Sequence, residues 1–185
     1  MSITKIEAES MNLADTYDFT GTVTGAGGGK ILQYQSVSTN STLLSTSTSF
    51  VTLTGLTDSI TPTATNSKIL IICTMAISKQ DHNGFYGKMV RQVAGGSETD
   101  FGGGTGGVEN SIWWSMRDTI YNNAPYTQNY VDTPSYSLGQ ALTYTAKGKT
   151  TSSSYGFGFN RTVDSTASSW NANTFSNMIL MELAT

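Results

Sequence analysis

The stretch of sequence that decides the fold is residues 68–78, KILIICTMAIS. It is rich in β-branched isoleucine, and it is far shorter than the ~20 apolar residues that cross a bilayer as a helix. A continuous apolar run of this length is typical of a central β-strand that is covered on both faces. Because successive side chains of a strand alternate between its faces, we expect one face to carry the odd-numbered side chains, Ile69, Ile71, Cys73 and Met75.

Shorter segments on both sides of this run alternate between apolar and polar residues, and turn residues separate them. Pro62 places one of them at a sheet edge or at a strand end. The segments are residues 31–38, 49–53, 59–63, 84–93, 111–117, 136–146, 154–159 and 174–183. No segment has the pattern of an amphipathic helix. The sequence therefore predicts an all-β protein that folds as an antiparallel β-sandwich or jelly roll.

The composition agrees with this fold class. The 185 residues include 23 serines, 29 threonines and 19 glycines, whereas charged residues make up only 12%. Such a composition is typical of short strands with polar outward faces, while helices favour alanine, leucine, glutamate and lysine. A single cysteine excludes a disulfide scaffold, and a coiled coil and a collagen repeat are excluded by composition. The length fits one domain, with or without a short tail.

The N-terminal region differs from the rest of the chain. The glycine-rich sequence of residues 21–29, GTVTGAGGG, predicts a flexible hinge. We place the domain boundary directly after this hinge. We predict that residues 1–29 form an extended attachment arm with its hinge and that residues 30–185 form the β-sandwich domain. The apolar residues of the arm are too sparse to build a core, and we expect them to anchor the chain to a partner; they are Ile3, Ile6, Met11, Leu13, Tyr17 and Phe19.

The charge distribution limits which classes of partner the chain is expected to bind. The net charge of −3 lies entirely within the first part of the arm, so the arm is either a solvated tail or a docking segment. The rest of the chain is balanced, without a basic stripe. This argues against binding to the phosphate backbone of a nucleic acid. The N-terminus lacks the apolar region of a signal peptide, and the apolar runs are too short to span a bilayer as helices. We expect neither a nucleic-acid partner nor membrane insertion.

No arrangement of residues indicates an enzyme. His82 is the only histidine and lies in a turn-like segment, and Cys73 lies in an apolar run, where cysteine acts as a small hydrophobic side chain. Residues 102–107 match the G-x-G-x-x-G pattern, but they lack the preceding strand and following helix of a dinucleotide site. We expect no catalysis and no cofactor. A weak calcium site stays open as an alternative at Asp100, Glu109 or Asp132.

Two long insertions interrupt the regular spacing of the predicted strands. They are residues 94–110 and residues 118–135. Long loops in compact domains are often functional. The second insertion is the better binding candidate, because tyrosine offers a rigid amphipathic ring and asparagine offers adaptable hydrogen bonds. Its candidate residues are Tyr121, Asn123, Tyr126, Asn129 and Tyr130. Two roles stay open for them, contact with a glycan and contact with a neighbouring subunit.

Several parts of the chain carry a family resemblance. Residues 12–23 read NLADTYDFTGTV, and residues 30–33, KILQ, follow the glycine hinge. Residues 48–56 read TSFVTLTGL, residues 59–71 read SITPTATNSKILI, and residues 176–183 read SNMILMEL. These segments resemble a module found in virion proteins of tailed bacteriophages, particularly marine and cyanobacterial ones, that are often labelled tail fibre or structural protein. The resemblance implies a β-sandwich that is often trimeric and has no catalytic activity.

The resemblance implies a non-enzymatic virion structural protein, assembled in the host cytoplasm. We expect a homotrimer, because the low surface charge leaves little to oppose association. The leading role is a tail fibre or spike protein that is anchored through its arm, to a tail or fibre adaptor protein, and binds a host-surface glycan. The alternative is a capsid decoration or cement protein that binds the major capsid protein and stabilises the head. A third role is a lectin-like glycan-binding domain or glycan hydrolase.

Overall fold

The structure is a computed structural model that describes residues 31–79, 84–102, 112–116, 120–163 and 173–184. Within these ranges the chain forms β-strands, turns and bends, without a helix. The strands are β1 (Ile31–Thr39), β2 (Leu43–Ser45), β3 (Val51–Ile60), β4 (Lys68–Lys79), β5 (Phe85–Val93), β6 (Thr99–Asp100), β7 (Ile112–Met116), β8 (Ile120–Asp132), β9 (Leu142–Thr150), β10 (Phe157–Phe159) and β11 (Ser176–Leu183). The prediction of an all-β fold is confirmed.

The strands pair into two antiparallel sheets. Sheet A has the order β1-β11-β4-β10-β2, and β8 pairs with the opposite edge of β4. Sheet B has the order β3-β9-β5, and both β6 and β7 pair with β5. Buried side chains of the two sheets form one hydrophobic core between them. The predicted antiparallel β-sandwich is therefore confirmed.

The apolar strand β4 lies at the centre of sheet A, as its sequence predicts. Its odd-numbered side chains from Ile69 to Ile77 are fully buried in the core, which confirms the predicted alternation. Burial raises the pKa of the Cys73 thiol, so this group behaves as a small hydrophobic side chain. The other face of β4 differs from the prediction, because Leu70 and Ile72 are only half-buried there.

Aromatic rings fill the space between the sheets, and a glycine on a neighbouring strand leaves room for one of them. Phe85 of β5 and Phe157 of β10 meet edge-to-face, with ring centroids 4.9 Å apart. The Phe85 ring also lies against Gly148 of β9, where an added Cβ would be 2.7 Å from a ring carbon. No larger residue fits at that distance, so Gly148 makes room for the ring that joins sheet B to sheet A.

The predicted strands at residues 49–53 and 59–63 form one strand, β3. Its pairing register with β9 shifts between Thr52 and Thr57, which marks a bulge. Gly55 lies inside this bulge with a φ of 77°, a left-handed conformation that glycine adopts without steric cost. The sequence Thr-Gly therefore bends the strand and does not end it.

Several strand ends differ from the prediction. β3 stops at Ile60, before Pro62, because proline has no N–H group for the ladder. β9 begins at Leu142, six residues after the predicted start, and β10 is limited to residues 157–159. The sequence does not predict β2 or β6, which are three and two residues long.

The prediction that residues 118–135 form a long insertion is wrong, because most of them form strand β8. β8 pairs with β4, from Asp132 opposite Ile69 to Ile120 opposite Lys79. Asparagine and proline are uncommon in strands, so the sequence of this segment does not predict β8. Among the described strands β8 pairs with β4 alone, and proline is tolerated on such an edge strand.

The predicted arm lies outside the described residues, which begin at Ile31. The domain boundary at residue 30 therefore stays a prediction. So does the anchoring role of the arm residues Ile3, Ile6, Met11, Leu13, Tyr17 and Phe19.

Candidate functional site

The outer face of sheet A, which points away from the core, is apolar at one end. The strand register aligns Tyr34 of β1, Met181 of β11, Leu70 of β4 and Val131 of β8 in one row. Tyr34 is 67% exposed and Val131 is 44% exposed. Directly paired side chains on one face of a sheet lie about 5 Å apart at Cβ, so the row forms a continuous apolar strip.

A second pair of side chains widens this strip. Ile179 of β11 lies opposite Ile72 of β4 in the next row, and both are half-buried. On the other side of the strip Leu183 lies between Ile31 and the exposed Lys68. Contiguous apolar surface is typical of sites that contact another surface. We call this group the apolar end, which consists of Tyr34, Leu70, Ile72, Val131, Ile179 and Met181.

The opposite end of the same face is polar. Asn177, Thr74 and Thr127 share a row, and the hydroxyls of the two threonines form a hydrogen bond of 2.8 Å. An open groove of about 450 Å³ lies at and beyond this row. We call it the polar groove after its asparagine and threonine residues, although most of its accessible surface is apolar; it is lined by Thr74, Ala76, Asn123, Pro125, Asn177 and residues 173–175.

The outer face of sheet B has a different character. Lys88 of β5 donates a hydrogen bond of 2.8 Å to Asp100, and Lys147 of β9 forms an ion pair with Glu98. Hydroxyl–hydroxyl bonds join β3 to β9 across the same face. These are the features of an ordinary solvated surface, and such exposed pairs stabilise a fold little. The outer face of sheet A carries one exposed charge in this region, Lys68 beside Leu183, and is otherwise apolar or neutral along the rows described above. It is therefore the better candidate for a functional surface.

The structure divides the predicted binding residues between the two faces of β8, because neighbouring residues of a strand alternate. Tyr126 and Tyr130 lie on the core side of the strand: Tyr126 packs against the core, whereas Tyr130 is 38% exposed, with its ring centroid 5.8 Å from that of Phe101. Asn123 and Asn129 face outward, Asn123 in the polar groove and Asn129 beside the apolar end.

The expectation of one loop lined by tyrosine and asparagine is therefore wrong. Tyr121 also belongs to β8, but its side chain lies outside the described part of the structure. The binding role of these five residues stays a prediction, and Asn123 is the one that lines the polar groove.

A buried polar cluster links the two sheets near the end of β8. Asp132 accepts hydrogen bonds from the Arg91 guanidinium and from the Tyr144 hydroxyl, the latter at 2.9 Å. The Phe101 ring covers the cluster, with its centroid 5.5 Å from the Arg91 Cζ and 5.5 Å from the Tyr144 ring centroid. Burial, and then the negative charge of Asp132, raise the pKa of Tyr144 far above its ordinary value. The hydroxyl thus stays protonated and acts as a structural donor.

Two carboxylates of the calcium alternative lie in the described part of the chain, and each pairs with a basic side chain. Asp132 pairs with Arg91, and Asp100 pairs with Lys88. Glu109, like His82, lies outside the described residues. In the part of the chain that the structure describes, no group of three or more His, Cys, Asp or Glu side chains is placed to hold a metal ion.

Sequence reasoning missed most of the polar groove. Thr74 and Asn177 are distant in the chain and become neighbours only because β4 pairs with β11. Phe175, which precedes β11, is 68% exposed, although a phenylalanine in an apolar region reads as a core residue. The alternation of β11 predicts which of its residues share a face, but it does not predict the strands beside them.

No family model matches the chain, and no curated protein is significantly similar to it. Among the described residues, no helix is long and apolar enough to cross a membrane.

Proposed function

We propose that this chain is a non-enzymatic structural protein of a tailed-bacteriophage virion. In this proposal three copies associate through the apolar end, the arm of residues 1–29 binds a tail or fibre adaptor protein, and the sandwich is displayed for binding to the host surface. The family resemblance of residues 12–71 and 174–183 supports the virion role.

The observation that carries the proposed association is the apolar end. Tyr34, Leu70, Val131 and Met181 lie side by side on a face that the described residues leave uncovered. Burial of apolar area in a contact contributes ~25 cal/mol per Å², and exposed aromatic and methionine side chains are enriched at interface centres.

A second copy of the chain is the occupant that this surface favours. All six side chains of the apolar end are uncharged, so burying them removes no charged group from water, and Lys68 lies beyond them at the edge of the strip. The lysine-bearing outer face of sheet B is less suited to such contact, because association there would remove charged groups from water.

The oligomeric state tests this contact. We expect the wild-type protein to be a trimer at micromolar concentration in light scattering after size exclusion. The double variant Tyr34→Lys/Val131→Lys should be a folded monomer, because both positions are exposed in the single chain and the lysines repel across the contact. Thr52→Lys, at an exposed position beside Lys147 on sheet B, is the matched control and should stay trimeric. A wild-type monomer, or a trimeric double variant, would contradict the proposed contact.

The place on the virion distinguishes the fibre role from capsid decoration. In the fibre role the polar groove faces the host, whereas a decoration protein would bind the major capsid protein. Removal of residues 1–29 should leave a folded trimer that no longer enters virions. Cross-links from the arm of the complete protein to a tail protein support the fibre role, and cross-links to the major capsid protein support decoration.

A further inference from the structure

The polar groove combines an exposed aromatic ring with several amides and hydroxyls. Phe175 stands at its rim, 68% exposed, and Asn123, Asn173 and Asn177 belong to its lining. Its volume of about 450 Å³ lies within the usual range of ligand sites, ~300–1,000 Å³. We propose that the polar groove is a binding site for a neutral saccharide of hexose or N-acetylhexosamine units, an inference that rests on the host-binding role proposed above.

The lining chemistry selects this class of ligand. The apolar face of a pyranose ring packs on an aromatic ring, as Phe175 offers, while its hydroxyls need amide and hydroxyl partners, as Asn177 and Thr74 offer. None of the described lining residues is charged. A phosphate, sulfate or carboxylate on the ligand would therefore find no cationic partner in the described groove, which favours neutral sugars over acidic ones.

The fold holds the wall of the groove in place before a ligand arrives. The backbone amide of Thr174 donates a hydrogen bond of 3.1 Å to the carbonyl of Asn160, and the amide of Asn160 donates one of 2.9 Å to the carbonyl of Ala76. The hydroxyl of Ser176 donates to the Asn160 Oδ1 at 2.6 Å and accepts from the Ala76 amide at 2.9 Å. The segment that carries Phe175 is thus tied to β4 on both sides of the ring, which lowers the entropy cost of binding.

The position of the groove would allow several copies of it to bind one surface at the same time. The polar groove begins one row beyond Ile72 and Ile179 of the apolar end and extends away from it. In the proposed assembly the contact is centred on the row of Tyr34 and Val131, which leaves the far side of the groove open. One stacked ring and a few neutral hydrogen bonds give weak binding in a single groove. Three grooves in one trimer, and many trimers on one particle, raise the overall avidity by orders of magnitude.

The test is binding of the complete protein to an array of neutral hexose and N-acetylhexosamine oligosaccharides, with sialylated and sulfated oligosaccharides on the same array. We expect binding to neutral members only. Titration of the best neutral oligosaccharide should show about a tenfold loss of affinity in Phe175→Ala, which corresponds to one lost stacking contact. Phe175→Tyr keeps the ring and should bind within about threefold of the wild type. Tyr155→Ala, at another exposed ring that does not line the groove, should bind as the wild type does.

Each outcome of the binding experiment either supports or overturns the saccharide site. The oligomeric state of every variant is measured alongside, so that failure of the site can be distinguished from failure of the proposed function. Absence of any binding to neutral oligosaccharides at millimolar concentration overturns the saccharide site, as does unchanged affinity in Phe175→Ala or a preference for acidic sugars. If that happens while the wild-type protein is trimeric and enters virions, the structural role stands without the site. If the neutral oligosaccharide binds a wild-type monomer that never trimerises, the site stands and the proposed assembly fails.

Discussion

The carboxylate of Glu182 accepts a hydrogen bond of 2.9 Å from the backbone amide of Thr63, a residue 119 positions earlier in the chain. Glu182 is fully buried on β11. Burial by itself raises the pKa of a carboxyl group, but hydrogen bonds to the charged form outweigh it here and lower the pKa from 4.5 to about 2. The donors are the Thr63 and Ala64 amides, the Thr63 and Ser67 hydroxyls and the Gln33 side-chain amide. One carboxylate thus holds the β3–β4 connection against sheet A.

This carboxylate makes the stability of the protein depend on acid pH. Because the folded-state pKa of Glu182 is depressed, its contribution is complete above pH 4.5 and is lost as the pH falls toward 2. The shift corresponds to ~3 kcal/mol. Urea unfolding of the wild type should show this loss, and Glu182→Gln should be less stable by a similar amount at pH 7, with a flatter pH profile below pH 4.5.

The control for this prediction is Glu98→Gln. Glu98 pairs with Lys147 on the exposed face of sheet B, where an ion pair contributes ~0–1 kcal/mol. Equal effects of the two substitutions at pH 7 would refute the role of Glu182.

Asn160 should be intolerant of even an isosteric change. Its side-chain amide donates hydrogen bonds to the carbonyls of Thr39 at 2.9 Å and Ser41 at 3.1 Å, and it is completely buried. Asn160→Asp places carboxyl oxygens against those carbonyls and should destabilise the protein by about 3 kcal/mol. Asn129→Asp, at an exposed site on β8, should change stability by less than about 0.5 kcal/mol. Thermal unfolding of both variants measures the difference, and matching melting temperatures would speak against the buried network.

The inter-sheet cluster should depend on Asp132. Asp132→Asn leaves Arg91 partly buried beside a neutral amide, and we expect a loss of roughly 3 kcal/mol. Asp100→Asn removes the acid from a much more exposed ion pair with Lys88 and should cost at most about 1 kcal/mol. Guanidinium unfolding at pH 7 compares the two variants, and a larger effect at Asp100 would exclude the cluster as a stabilising link.

Two leucines should respond differently to truncation because their burial differs. Leu180 of β11 is completely buried between the sheets, whereas Leu138 is 55% exposed in a turn. Leu180→Ala should cost about 3 kcal/mol through lost apolar contact and the cavity left behind, and Leu138→Ala should cost less than about 1 kcal/mol. The prediction fails if calorimetry gives both variants the melting temperature of the wild type.

The strands could be predicted from sequence where local composition agreed with the fold. β4 is apolar at nearly every position, and β11 alternates, so both appear in the sequence as strands. β8 could not be predicted in this way, because its polar residues adopt a strand through pairing with β4. The Thr-Gly pair that ends at Gly55 misled the prediction in the other direction, because it suggested a turn between two strands where the structure has a bulge inside β3. A turn and a bulge can have the same local sequence.

The sequence by itself determined that the chain is all-β, that residues 68–78 form a central strand and that Cys73 is a core residue. These properties follow from side-chain alternation and strand propensity, which act between neighbours along the chain. Only the tertiary structure decided which strands lie side by side, and with them the apolar end, the polar groove and the surroundings of Glu182. Those features join residues that are distant in sequence, because strand order is set by packing two whole sheets around one core.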